Sequence, residues 1–223
     1  MNIKSMLMRL QSSLGREDLC DRIVLLPQPI KTVIAADESS NSLTLVVGYN
    51  GSPKSHAALD ISLLIAHQTR LATSKQVTVQ VVYVLDQNKT NECQDTFKKY
   101  SNDAMSLEFL SASASKSGTP VLTRTKLKTS IDSCSLKESF SEYHCFEQAE
   151  SILWQARCLV EEWRDAFAAH LRFGSVATEL RKVVESKSAD ILVLGCKSPN
   201  EKIVQKLGSN FPCAVLGIPD TID

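Results

Sequence analysis

The chain has 223 residues, room for one large domain or for one domain with extensions. Its 25 basic and 25 acidic residues balance, which argues against electrostatic capture of nucleic acid or of an anionic membrane. Seven cysteines (Cys20, Cys93, Cys134, Cys145, Cys158, Cys196, Cys213) lie far apart with no CxxC pair, so neither a disulfide framework nor a zinc knuckle is expected, and a reducing, cytoplasmic compartment is. No apolar stretch is long enough for a transmembrane segment, and Lys4 and Arg9 interrupt the N-terminus where a secretory signal would be apolar.

Residues 1 to 14 place Ile3, Met6, Leu7, Leu10 and Leu14 on one helical face that Gly15 closes. Such a helix packs on its own domain or on a partner, since its few cations suit a membrane surface poorly. Residues 16 to 42 hold two apolar segments split by Pro27 and Pro29, then a polar acidic linker, and read as an extended arm. Residues 1–42 are therefore expected to be an N-terminal extension.

From Ser42 the pattern sharpens. Leu43 to Val47 is a strand buried on both faces, Gly48 to Pro53 turns the chain, and Ser55 to Thr73 sets Ala58, Ile61, Leu64, Ile65 and Ala72 at helical spacing. Ser52 before Pro53 has the chemistry of an N-cap followed by a first-turn proline. Val77 to Leu85 is a second strand. Alternation then stops: residues 88–145 are polar and rich in serine, threonine and lysine, and are expected to be an insertion. Within it, Met105 to Leu110 suggests a helical turn, and Thr119 to Lys128 an edge strand or hairpin. Glu147 to Ala169 reads as a helix with Ile152, Ala156, Leu159, Trp163 and Phe167 on its apolar stripe. Ala169 to Phe173 is a short strand, and Ser175 caps a helix running to Lys187 with Val176, Leu180, Val183 and Val184 inward.

The last stretch is the most informative. Ile191 to Leu194 is a short strand closed by Gly195, Asn200 to Leu207 shows helical spacing, Gly208 sits where a helix end wants positive φ, and Cys213 to Ile218 is a final strand. Five strands alternating with four helices predict a three-layer α/β fold, a five-stranded parallel sheet with helices on both faces. Ligands of such sheets usually sit at the loop ends of the strands.

The order of elements resembles a universal stress protein domain, with LTLVVGYNGSPKSHAAL the most specific stretch, the Gly174-Ser175 helix start, and ADILVLGCKS at a strand end. The resemblance covers Leu43 to Pro219 without the insertion, placing the family-like domain at 43–219. It implies the adenine nucleotide α-hydrolase-like fold, frequent dimerisation through the last strand, and in many members, though not all, ATP binding. It also implies a nucleotide set: Asn50 where the family carries an acidic residue at the end of the opening strand, Val84 at the end of the second strand, and Gly195, Ser198, Gly208 and Ser209 at the spacing of the family's glycine loop. Asn50-Gly51 reads equally as a tight turn. Ser198 replaces the loop's middle glycine.

Spacing alone misleads, however. In the family the final Gly-Ser opens a helix, whereas here only Asn210 and Phe211 separate Ser209 from Pro212, fewer residues than the roughly 3.6 of one helical turn. The crossover must then use Asn200 to Leu207 as its helix, making Gly208 a C-cap. The expected function is a non-catalytic regulatory or protein-interaction domain with a degenerate nucleotide site and no cofactor. Its homodimer or protein-partner contacts would lie in residues 1–42 and 88–145. The alternative is a stress sensor or slow ATPase binding ATP or AMP, with magnesium, through the six residues named.

Other chemistry is weakly signalled. His56, His67, His144 and His170 give no metal pair at helical spacing, and no catalytic or metal site is expected. His144-Cys145 lacks an orienting acid. Cys196 reads as a partly buried small apolar group, and Trp154 and Trp163 as core or dimer-face residues.

Overall fold

Short runs of branched apolar residues cannot satisfy their backbone alone, and here they do so by pairing into one sheet. The computed structural model describes residues 7–8, 11–12, 15, 23–27, 42–73, 75–86, 107–110, 136–163 and 167–219. In chain order the elements are β1 (Val24–Leu26), β2 (Ser42–Gly48), α1 (Pro53–Thr73), β3 (Gln76–Leu85), β4 (Leu107–Leu110), α2 (Leu136–Trp163), β5 (Phe167–Phe173), α3 (Val176–Ser186), β6 (Ile191–Leu194), α4 (Lys202–Leu207) and β7 (Ala214–Gly217). Among the described residues the sheet order is β1-β7-β6-β2-β3-β5-β4. The five strands from β7 to β5 are mutually parallel, and β1 and β4 close the two edges antiparallel. The expected five-stranded parallel core is present, with two further edge strands.

Because side chains alternate along a strand, each apolar run feeds two cores. Leu45, Val47, Val79, Val81, Ile191 and Val193 face α1 and α2, where Leu59, Leu63, Ala66, Leu153, Ala156 and Val160 cover them. Val46, Val82, Leu192 and Val215 face the other way, against Leu180, Val183, Val204 and Leu207 of α3 and α4. Burial of each such side chain contributes about 1.5–3 kcal/mol, which is why the helices lie on the sheet with their apolar sides inward. Register is pinned where β6 begins. The Asp190 carboxylate accepts the Thr44 N–H at 2.9 Å, and the Asp190 N–H donates to the Thr44 carbonyl at 3.0 Å. Across β3 and β5, the fully buried His170 bonds the Gln80 amide oxygen through Nε2 at 2.6 Å.

Several expectations need correction. Phe167 to Ala169 belong to β5 and not to the preceding helix, because Phe167, Ala168 and Ala169 pair with β3 from Val79 onward. The helix instead begins earlier, at Leu136, so residues 136–145 of the expected insertion are helical. Its buried stripe is Ala149, Leu153, Ala156 and Val160, one position round from the expected one, with Ile152, Leu159 and Trp163 half-buried. In α1 the sheet face includes Ser55, Ser62 and Thr69, seven apart, as well as Leu59, Leu63 and Ala66, while Ala72 is exposed. Small polar residues fit there because the helix packs closely, and Ser62 returns its proton to the Ala58 carbonyl at 2.7 Å. Residues Leu107 to Leu110, expected as part of a helical turn, form β4. Thr119 to Lys128 lie outside the described residues. Of the N-terminal helix, residues 7, 8, 11 and 12 are helical, with Leu7 buried in the α1/α2 core and Met8 exposed. No helix among the described residues is long and apolar enough to cross a membrane.

Leu192→Ala removes a fully buried side chain at the centre of β6. It is expected to lower unfolding free energy by about 2–5 kcal/mol, read in urea as a lower midpoint at unchanged slope.

Candidate functional site

The carboxyl ends of the parallel strands converge where β2 and β6 finish side by side, Gly48 beside Leu194. Two loops leave this edge, Tyr49 to Ser52 leading into α1 and Gly195 to Glu201 leading into α4. Their packing is tight. A Cβ on Gly195 would lie 2.4 Å from the Lys54 carbonyl carbon and 2.5 Å from its oxygen, so the first turn of α1 crosses directly over the end of β6. Glycine at 195 is thus required by backbone against backbone, with no ligand invoked.

The first loop bonds to itself. The Asn50 side-chain oxygen accepts the Ser52 N–H at 3.1 Å, and the Ser55 hydroxyl accepts the Asn50 N–H at 3.3 Å while donating to the Ser52 carbonyl at 2.9 Å. The Ser52 hydroxyl in turn accepts the Ser55 N–H at 3.3 Å, as an N-cap should, with Pro53 opening the helix. Gly51 takes φ of 75°, which the turn reading of Asn50-Gly51 anticipates.

The second loop is closed in the same manner, but by a carboxylate. Glu201 Oε1 accepts the Lys197 N–H at 2.6 Å, the Ser198 hydroxyl accepts the Asn200 N–H at 3.2 Å, and the Ser198 carbonyl accepts the Glu201 N–H at 3.2 Å. The Leu194 carbonyl takes both the Cys196 and Ile218 N–H groups, at 3.0 and 2.8 Å. A charged acceptor at such a distance makes the strongest of these bonds.

Gly208 and Ser209 are elsewhere. Since β6 and β7 are parallel, α4 runs back along the sheet and carries these two residues away from the carboxyl edge. Gly208 ends α4 at φ 76°, ψ 163°, with its N–H on the Val204 carbonyl, and no helix follows before β7. The expected C-cap is therefore present, although α4 is two residues shorter at its start than Asn200 to Leu207. Arg181 of α3 holds this end: its guanidinium donates to the Leu207 carbonyl at 2.8 Å and the Asn210 carbonyl at 3.1 Å and lies 5.0 Å over the Phe211 ring. A cation at the last carbonyls of a helix also complements its dipole. Val84 is half-buried on β3, packed against the α3/α4 core. Of the six expected nucleotide residues, the structure brings Asn50, Gly195 and Ser198 to one edge and separates Gly208 and Ser209 from them.

Two titrating groups sit beside these loops. Burial, then the Glu201 carboxylate, pushes the Cys196 thiol up to about 12 against the opposing pull of Lys54. Burial, then Asp60 and Cys158, pushes the Tyr49 phenol up to about 12. Tyr49 is buried with its ring edge-on to His56, and its hydroxyl has no hydrogen-bond partner among the described residues. Cys196 is buried more completely than the partial burial read from the sequence. Trp154 is half exposed under Arg157, and Trp163 packs on the core and against His67. No group of three metal-ligating side chains occurs among the described residues, and the side chains of His144 and Cys145 lie outside them. Sequence reasoning missed Glu201, Ser55 and Arg181. The first two had a readable signal, since Glu201 stands four residues after Lys197 and Ser55 three after Ser52; Arg181 acts across elements and had none.

Gly195→Ala is expected to destabilise more than Gly208→Ala in parallel urea unfolding. The first drives a methyl group into backbone, whereas the second meets no atom and suffers only its backbone angle, about 1–3 kcal/mol. The raised groups set an alkaline limit. Below pH 9 the Cys196 thiol and the Tyr49 phenol are protonated in both folded and unfolded chains; above their ordinary values of 9.0 and 10.0 only the unfolded chain ionises, so stability falls as pH rises towards about 12. Cys196→Ser with Tyr49→Phe is expected to flatten that fall, measured by thermal melts between pH 8 and 11.

The chain matches no family model and no curated relative. Among solved structures it is similar to a universal stress protein family member from Burkholderia pseudomallei, at 18% identity and TM-score 0.49, over 81% of this chain and 98% of that one. It is also similar to a universal stress protein from Lactobacillus plantarum, at 11% identity and TM-score 0.47, over 79% and 97% of the two chains. A third likeness is to an Arabidopsis thaliana member of the family solved with AMP bound, at 13% identity and TM-score 0.46, over 81% and 93%. Over most of its length, then, the chain is similar to solved universal stress proteins.

Proposed function

We propose that this chain is a universal stress protein-like regulatory or protein-interaction domain whose nucleotide site is degenerate because the protein's own side chains fill it. One observation carries the reading: the Glu201 carboxylate occupies the Lys197 N–H at 2.6 Å, in the loop where an anion would need that amide free. A phosphate arriving there would meet an established negative charge, and like charges at close range repel. Asn50 is similarly committed, its side-chain oxygen bonded to Ser52 within its own turn. Gly208 and Ser209, at the far end of α4, add no amides to the same cradle. The residues present therefore do not suit a bound nucleoside triphosphate, and no turnover is assigned.

On this reading the working surfaces are the segments added to the core, residues 1–42 and 88–145, through which the chain meets a second copy of itself or a protein partner in the cytoplasm. Isothermal titration with ATP, ADP and AMP tests the site directly. The expected result is no micromolar binding by the wild-type chain and a measurable gain in Glu201→Gln, which removes the charge and keeps the shape. Micromolar wild-type binding that Asn50→Ala abolishes would overturn the reading in favour of a nucleotide sensor.

A further inference from the structure

α1 and α2 cover the same face of the sheet side by side, and the edges they turn towards each other are polar. At one end of their contact a Cβ on Gly51 would come 3.3 Å from the Gln155 amide oxygen and 3.4 Å from Ile152. At the other end the His67 ring packs edge-on against Trp163, with centroids 6.0 Å apart. Between these contacts helical spacing stacks His56 and Asp60 on α1, four apart, and Gln155, Cys158 and Glu162 on α2, three and four apart. Asp60, Cys158 and Glu162 are exposed at the mouth of this crease, and His56 is half-buried.

Tyr49 forms the floor. It is 2% exposed, its ring meets His56 edge-on at 5.4 Å, and its hydroxyl is unbonded among the described residues. After burial itself, the groups that act on the phenol are Asp60 and Cys158, so the hydroxyl faces outward between the two helices. Native structures seldom leave a buried hydroxyl without a partner, because an unmade hydrogen bond there is destabilising. The carboxylates above it are in a matching condition. Burial raises the Asp60 carboxyl above its ordinary range, His56 opposes that rise and Glu162 adds to it. Among the described residues neither Asp60 nor Glu162 has an ion pair, whereas Glu161, next in sequence, is paired with Arg157 at 2.9 Å.

Three acceptors therefore converge, two carboxylates and a phenol oxygen, and no lysine or arginine stands among the residues that line them. A primary ammonium group is their complement, since it carries one charge and three N–H donors and accepts nothing. A phosphate would be repelled by the two carboxylates. A metal ion needs several ligands close together, and no three metal-ligating side chains are so placed among the described residues. We propose that the crease between α1 and α2 binds a primary alkylammonium group, held by Asp60, Glu162 and the Tyr49 hydroxyl oxygen. The Tyr49 and His56 rings wall the adjoining carbon chain.

This site uses none of the carboxyl-edge loop bonds, so it stands whether or not nucleotide binds. Butylammonium is titrated into the full chain at low ionic strength and followed by ligand-detected NMR, with circular dichroism on every variant. Binding is expected to saturate, and to weaken about tenfold or more in Asp60→Asn, Glu162→Gln and Tyr49→Phe, each of which keeps the shape of the residue it replaces. Glu161→Gln removes the same charge one residue away and is expected to leave binding unchanged. Trimethylbutylammonium has the same charge without N–H donors and is expected not to compete. N-acetyl-lysine amide, run beside butylammonium, separates the two sources of the group: tighter binding assigns the site to a lysine side chain of a protein, weaker binding to a small amine in solution. The proposal is overturned by a folded wild-type chain that shows no saturable binding, by equal losses in Glu161→Gln and Glu162→Gln, or by a Tyr49→Phe chain that binds as the wild type does. Zinc ion binding that the same substitutions abolish and butylammonium does not displace would also overturn it, in favour of a metal site.

Discussion

The close approach of α1 to the end of β6 governs this structure. At Gly195 the main chain of one loop touches the main chain of Lys54, and everything at the carboxyl edge is arranged around that contact. It seats the first turn of α1 over the sheet, draws the Asn50 and Gly195 loops together, and leaves each to find bonding partners within itself. In many α/β proteins this edge holds a crevice because helices splay away from the strand ends. Here the helix start has closed down on it. Protein interiors are packed to crystal density, so such a contact admits little beyond a hydrogen atom.

Once that edge is closed, the orphan amides of the loops need acceptors, and the chain supplies them locally. Asn50, Ser52 and Ser55 serve one loop; Ser198 and Glu201 serve the other. Each is a polar side chain within five residues of the amide it serves, which is the usual chemistry of turns and helix starts. No helix lies between Ser209 and β7. Arg181 takes up the carbonyls left at the end of α4 and stacks on Phe211, so this short connection is held by a side chain from the neighbouring helix.

Much of the fold was legible because its signals are local. Apolar runs marked four of the five parallel strands, β5 being read only as a short strand from Ala169, and the two residues between Ser209 and Pro212 were enough to place Gly208 at a helix end. What stayed illegible depends on position in space. The α1 face was misjudged because Ser55, Ser62 and Thr69 are polar by type yet small enough to sit against a sheet. The boundary between α2 and β5 was misplaced because Phe167 and Ala169 continue a helical spacing, and only pairing with β3 decides between the two periods. β1 and β4 were not separable from their surroundings, since an edge strand of three or four residues owes its existence to the neighbour it pairs with. At the site, residue spacing grouped Gly208 and Ser209 with Gly195, but a helix running back along the sheet intervenes.

The neighbouring strands β3 and β5 are separated in sequence by roughly eighty residues, yet they pair over seven positions from Val79 beside Phe167 to Leu85 beside Phe173. The entropy lost in closing such a loop grows only with the logarithm of its length, about 0.6 kcal/mol for each doubling. Lengthening the connection between these strands therefore weakens the native state very little, while bringing them together in the first place becomes a slower event. A chain built this way can acquire or shed sequence at that point with almost no thermodynamic consequence, and the burden falls on the time it needs to fold.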